Sequence, residues 1–257
     1  MPRSRVGKFW CRFGKKPARR DKRNFKFAAL LAVSPKLPAA YDFDERYVAV
    51  PTPMFGNDAH GDCVIAGRAH QTLRFEYVEQ HRLLKIADSD VLREWHKENG
   101  NTEDGLVLLD SLKEWRKRGW LVEKIAYKIE AFAELNRGSH DELKKAIVMQ
   151  FGVGLGLTLP YAALTQFQAG RAWDVVSGPN GQPDSGGGHY VYCPGYTKDG
   201  PVCVTWGRKQ PMTWRFFDRY ADEAYVVIDA RDTKLKKKSA VGGALDQVAL
   251  TAMLGRL

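Results

Sequence analysis

Residues 56–67 read GNDAHGDCVIAG, a run of turn-forming residues that ends where an apolar helical pattern begins, at Cys63. Ala66, His70, Leu73 and Tyr77 then recur on one face at steps of three or four. The spacing predicts a buried helix from Cys63 to about residue 81. A thiol at a helix N-terminus faces unpaired backbone N–H groups and the positive end of the helix dipole. Both favour thiolate and predict a thiol pKa below the usual ~8.5. Cys63 is either a candidate nucleophile or a buried structural thiol, since free cysteine is among the most buried residue types.

A distant stretch bears on that choice. Residues 186–192 read GGGHYVY, so His189 follows three glycines and opens an alternating strand. Glycine beside a histidine lets other backbone or a substrate come close. An early cysteine with a distant histidine is the arrangement of thiol proteases. Between the two, residues 89–96 read as a short helix and residues 99–105 as a loop. Leu108, Leu109, Leu112 and Trp115 mark a further helix. Ser139 and Glu142 form a capping box for a helix to about Gln150, and residues 151–159 alternate as a strand. Residues 190–196, 201–206 and 224–229 read as strands, with a turn at 198–200. The expected class is α+β, a helical half followed by a half rich in antiparallel sheet.

Charge divides the chain unevenly. Residues 1–35 hold eleven basic residues against one acid, Asp21, a surplus equal to the whole formal charge of +10. Phe9, Trp10, Phe13, Phe25 and Phe27 are interleaved with them. Such an arm fits nucleic acid or an acidic partner, through residues 1–26. It fits equally a solvated segment that aids solubility, or a short pro-like arm. It fits a signal peptide poorly, because the charged region is long and the apolar run short. No apolar run reaches the ~18 residues of a membrane span. The four cysteines at 11, 63, 193 and 203 suggest no disulfide framework and a reducing, cytoplasmic setting in a bacterium or phage-infected cell. Cysteine and histidine spacings make no zinc site, and neither metal nor cofactor is expected. After a basic stretch at 234–238, Leu245, Val248, Ala249 and Ala252 form an apolar stripe able to dock on the body or on a partner.

In order along residues 36–230, the chain resembles the papain-like cysteine peptidases. LPAAYDF at 37–43 resembles the start of their mature domain. Asn57 lies six residues before Cys63, where the family has its oxyanion-hole glutamine. Residues 141–146 and 166–170 resemble the family's middle segment; His189 is followed by Gly195 and Tyr196; Thr205, Trp206 and Gly207 resemble the end of an Asn-Ser-Trp-Gly motif. The resemblance implies a two-lobed papain-like fold, flanked by an arm at 1–35 and a linker and helix at 231–257.

It also implies acyl transfer from a peptide or protein substrate. Cys63 would attack, His189 would act as general base and acid, and Asn57 with the Cys63 N–H would hold the oxyanion. Gly105 and Trp206 would line the substrate cleft. The family's histidine-orienting asparagine is Val204 here, and valine accepts no hydrogen bond. The orienting group is then Thr205, Gln210, a backbone carbonyl or water, or the site is a Cys–His dyad, or the protein is an inactive scaffold whose basic arm binds nucleic acid or an assembly partner. Strand alternation sets Val204 and Trp206 on one face and Thr205 on the other. Asp62 opposes thiolate formation and is a candidate helix cap. His60, His70, His96 and His140 read as surface or core positions.

Overall fold

The computed structural model describes residues 4–6, 9–229 and 243–255. The basic stretch at 234–238 lies outside them. The described residues open with β1 (Ser4–Val6) paired antiparallel to β2 (Phe9–Cys11), continue as an extended segment, and pass β3 (Leu31–Val33) and β4 (Tyr41–Asp42).

The helical half contains α1 (Phe43–Arg46), α2 (Cys63–Gln80), α3 (Asp88–Asn99) and α4 (Leu108–Arg118). The helix predicted from Cys63 therefore starts and ends where its pattern does. Yet α2 is not one-sided: every residue from Cys63 to Glu76 is buried. A helix apolar on one face and buried on all must neutralise its polar residues internally. Arg74 does so by a two-pronged pair with Asp44, Nε and Nη2 each 2.9 Å from a carboxylate oxygen. Arg68 reaches Glu98 at 2.8 Å and Glu94 at 3.7 Å. A small hairpin of β5 (Trp120–Val122) and β6 (Ile125–Tyr127) closes this half.

The second half is an antiparallel sheet. Its strands are β7 (Ala131–Glu134), β8 (Val153–Leu159), β9 (Gly187–Tyr196), β10 (Pro201–Thr205), β11 (Arg208–Pro211) and β12 (Ala221–Ile228). They run in the order β11-β10-β9-β8-β12-β7, with β4 paired to β9 as well. β9 sets the frame: it pairs with β8 from Val153↔Cys193 to Leu159↔Gly187, which fixes His189 opposite Leu157. Between β12 and β8 the register shifts from Ala221↔Leu157 to Glu223↔Gly156. Such a bulge re-aims neighbouring side chains.

Helices α5 (His140–Met149), α6 (Tyr161–Gln168) and α7 (Trp214–Tyr220) cover the sheet. Ser139 caps α5 by accepting from the Glu142 N–H at 3.2 Å, but Glu142 reaches back to the Asn136 N–H rather than to Ser139, so the expected box is half formed. All four cysteines are free and buried.

The C-terminal helix, Gln247–Leu254, buries Leu250 and Met253, while Val248 is 81 % exposed. The buried face is rotated from the predicted stripe because a strand of Ala244–Leu245 pairs with β3 and aims the helix at Phe27–Leu30. The end of the chain thus sits on the root of the basic arm.

Candidate active site

Cys63 is the first residue of α2, 1 % exposed, and its sulfur accepts the backbone N–H groups of Tyr190 and Gly14. The first contact brings the thiol against the residue after His189. Asp62 precedes it, fully buried, and does not cap the helix with its side chain. Its Oδ1 instead accepts the Asn57 amide at 2.9 Å. The second Asn57 N–H leans on the His60 carbonyl at 3.4 Å, a weak contact. Asn57 is thus beside the thiol, with its amide drawn toward Asp62.

His189 is 0 % exposed. Its Nε2 lies 2.8 Å from Thr205 Oγ1, and its Nδ1 has no hydrogen-bond partner. The indole of Trp206 stacks on the imidazole with centroids 4.3 Å apart and planes 17° apart. Simple alternation would put Thr205 and Trp206 on opposite faces. It fails because β10 ends at Thr205 and Trp206 takes a left-handed φ of 43°, which swings its ring onto the same histidine. Val204 stays in the core, beside Cys63, Ala66 and His70 around a cavity of about 10 Å³, room for about one water. His70 is a core residue whose ring is tilted against Phe55, with centroids 4.9 Å apart.

The cleft is not open. Residues 12–16 of the arm run through it. Lys15 N–H donates to the Gly188 carbonyl at 3.1 Å; on the other wall Leu106 N–H donates to the Gly14 carbonyl at 2.7 Å, and Lys16 N–H to the Leu106 carbonyl at 2.8 Å. Gly14 lies so close to Gly61 and Gly105 that a Cβ on it would stand 1.7 Å from the Gly61 oxygen. Gly105 packs against the Gly14 backbone, while the backbone bonds come from its neighbour Leu106. Phe13 sets its edge on both His189 and Trp206, at 5.9 and 6.0 Å between centroids. Nothing in the sequence marked residues 12–16 as cleft-filling, apart from a glycine between Phe13 and Lys15.

Four of the arm's cations end on acids of the body near this path. Arg12 meets Glu103 at 2.9 Å, Lys16 meets Asp104 at 3.5 Å and Arg19 meets Asp110 at 2.8 Å. Lys15, its side chain 1 % exposed, lies 2.8 Å from Asp222 and 3.2 Å from Glu223.

This burial sets the protonation states. It pushes the Cys63 thiol up to about 12; Asp62 adds to the rise, while the Tyr190 and Gly14 N–H groups and Lys15 oppose it less strongly. The thiol expected to fall below the ordinary value rises instead, because desolvation outweighs the helix terminus. Burial also pushes His189 down to about 3. With the arm in place, thiol and imidazole are both neutral. Among the described residues, Glu76, Glu79 and Asp229 bring carboxylate oxygens within 4.8 Å of one another.

No known family profile matches the sequence, and no curated protein is significantly similar to it. Solved structures do match. Xylellain, a cysteine protease from Xylella fastidiosa, superposes with a TM-score of 0.65 at 16 % identity, over 89 % of this chain and 100 % of its own. Digestive procathepsin L 3 of Tenebrio molitor gives 0.57 at 13 % identity, over 80 % of this chain and 76 % of its own. The Carica candamarcensis cysteine protease CMS1MS2 gives 0.56 at 13 % identity, over 75 % and 99 %. At these identities the likeness concerns the fold, and the chain has the two-lobed papain-like fold of these cysteine proteases.

Proposed function

We propose that this chain is a papain-like cysteine peptidase, or a related thiol acyl hydrolase, held closed by its own arm. The observation that carries the reading is the His189 environment. A hydroxyl at Nε2, an indole on the ring face and a free Nδ1, on the strand whose next residue touches the Cys63 sulfur, fit an oriented base that serves this nucleophile. Thr205 accepts the Nε2 proton and leaves Nδ1 to take the thiol proton. Cys63 attacks the carbonyl, its own N–H and the Asn57 amide receive the oxyanion once Asn57 leaves the His60 carbonyl, and His189 protonates the leaving amine.

The arm does not present itself for cleavage at Gly14. It offers the thiol an N–H, and the Gly14 carbonyl is bound on the far wall by Leu106. Opening admits water and substrate and removes the desolvation that keeps thiol and imidazole neutral. The four free thiols support a reducing compartment.

The alternative, a non-catalytic scaffold whose arm binds nucleic acid, draws on the neutral thiol and imidazole of the closed state. It is disfavoured by Arg12, Lys15, Lys16 and Arg19 meeting acids of the same chain.

The test is iodoacetamide labelling of Cys63 read by peptide mass spectrometry, with peptide hydrolysis in parallel, in wild type, Gly14→Ala and Gly14→Ala/His189→Ala. Labelling and hydrolysis that appear at neutral pH in Gly14→Ala and vanish without His189 support the reading. Labelling indifferent to His189, with no hydrolysis, sinks it and leaves the scaffold.

A further inference from the structure

The Lys15 side chain enters a pocket one residue along the cleft from the thiol. Its floor is Gly156 on β8, where a Cβ would stand 2.3 Å from Lys15 Cε and 2.5 Å from Glu223 Cγ. Its end is Asp222 and Glu223, both brought to the same cavity by the register shift in β12. Glu223 is 6 % exposed, and its Oε2 has no hydrogen-bond partner; nor does Asp222 Oδ1. A buried carboxylate without a full set of donors is costly unless a cation stays beside it. Lys15 is that cation, and it belongs to a segment that must leave before any substrate can reach Cys63. The pocket then holds two acids and no counter-charge.

We propose that this pocket selects substrates by a basic side chain, lysine or arginine, at the residue next to the one whose carbonyl Cys63 attacks. The inference rests on the peptidase reading and names its substrate class. A substrate would use the same backbone positions the arm uses, the Gly188 carbonyl and both polar groups of Leu106, and place its cation between Asp222 and Glu223. An apolar side chain there would leave both acids unpaired. That penalty is what discriminates, as in any site built for a polar group. Gly156 leaves room for a long unbranched stem.

The experiment separates the pocket from the chemistry. In the full-length Gly14→Ala/Lys15→Ala variant, twelve-residue peptides copying positions 9–20 of the natural arm, with Lys, Arg, Leu or Glu at position 15, are titrated as protectors of Cys63 against iodoacetamide. The Lys and Arg peptides should protect at concentrations roughly tenfold lower than the Leu peptide, with the Glu peptide weakest. In an added Asp222→Asn/Glu223→Gln background the Lys and Leu peptides should converge to within about twofold. Equal protection by Lys and Leu peptides, or protection by none, overturns the proposal. Fluorogenic peptides with Lys or Leu at the same position are assayed alongside. Lys-selective protection without hydrolysis of any peptide leaves the pocket standing and refutes the peptidase. Hydrolysis that ignores the Lys/Leu difference keeps the peptidase and refutes the pocket. Lys15→Arg and Lys15→Leu in the intact arm give a check independent of added peptide: the first should keep Cys63 shielded, the second should speed its labelling.

Discussion

Thr205 Oγ1 lies 2.8 Å from His189 Nε2, a hydroxyl at the ring nitrogen that the neighbouring valine cannot serve. A group at this place fixes tautomer and ring position. Thr205→Val keeps the volume and removes the acceptor. In a Gly14→Ala background, kcat should fall on the order of 100-fold, with Thr205→Ser retaining most activity. An unchanged kcat for the valine variant would mean that Trp206 stacking alone positions the ring.

The arm governs the pH at which Cys63 reacts. With residues 12–16 in the cleft the thiol is pushed up to about 12, so labelling of the wild-type chain should stay slow at pH 7 and climb steadily through pH 10. In Gly14→Ala, whose new Cβ has no room beside the Gly61 carbonyl, the rise should begin at least two pH units lower, about a hundredfold more thiolate at neutral pH. Superimposable profiles would show that the arm is not what suppresses the thiol.

Stability depends on the buried pair under α2. Asp44→Ala removes the carboxylate from a guanidinium that is fully enclosed and also takes a partner from Lys209, 2.9 Å away. The expected loss is about 3–5 kcal/mol in urea unfolding, with an unchanged m-value. A loss below about 1 kcal/mol would mean Arg74 finds water or another acceptor.

Acid should loosen the fold through its enclosed histidines. Burial, with Arg74 adding to it, pushes His70 down to about 3, while in the unfolded chain it titrates near 6.5. A base with a depressed folded pKa gives stability that is complete above the unfolded value and is lost as pH falls toward the folded one. Between pH 6.5 and 3 the slope reaches about 1.4 kcal/mol per pH unit for each such group, and His189 adds its own. His70→Phe should therefore lose about 3 kcal/mol less than wild type between pH 7 and pH 4. Parallel curves for the two proteins would contradict this.

The sequence carried the fold further than it carried the site. The helix at Cys63, the strand at His189 and the order of helices before sheet follow from local periodicity, which survives in a single chain. Asn57, Cys63, His189, Gly105 and Trp206 all lie at or beside one cleft. The Thr205 contact was legible only as one option among several, because it depends on Trp206 leaving strand geometry, and a left-handed tryptophan has no signature in composition. Asp222 and Glu223 lie just before the strand predicted at 224–229, and the bulge there breaks the alternation by which strands are read. From charge pattern alone the arm fits an outside partner, a solvated segment or a short pro-like arm equally well. Its actual counter-charges, Glu103, Asp104, Asp110, Asp222 and Glu223, are up to some two hundred positions away, and pattern alone does not connect them.

On the proposed peptidase reading, the clasp between the two ends of the chain would set how the arm competes with substrate. Phe25 and Lys26 are pinned to Glu134, and the C-terminal helix lies over Phe27–Leu30. Residues 17–24 are therefore a short tether, anchored at Phe25 and held on the way by Arg19 and Asp21, and a segment on such a tether meets its groove at an effective concentration in the millimolar range. A peptide arriving from solution contends with that local concentration rather than with the arm's intrinsic affinity. Modest weakening of the arm's contacts, or a cut anywhere in the tether, would shift occupancy far more than an equal gain in substrate affinity.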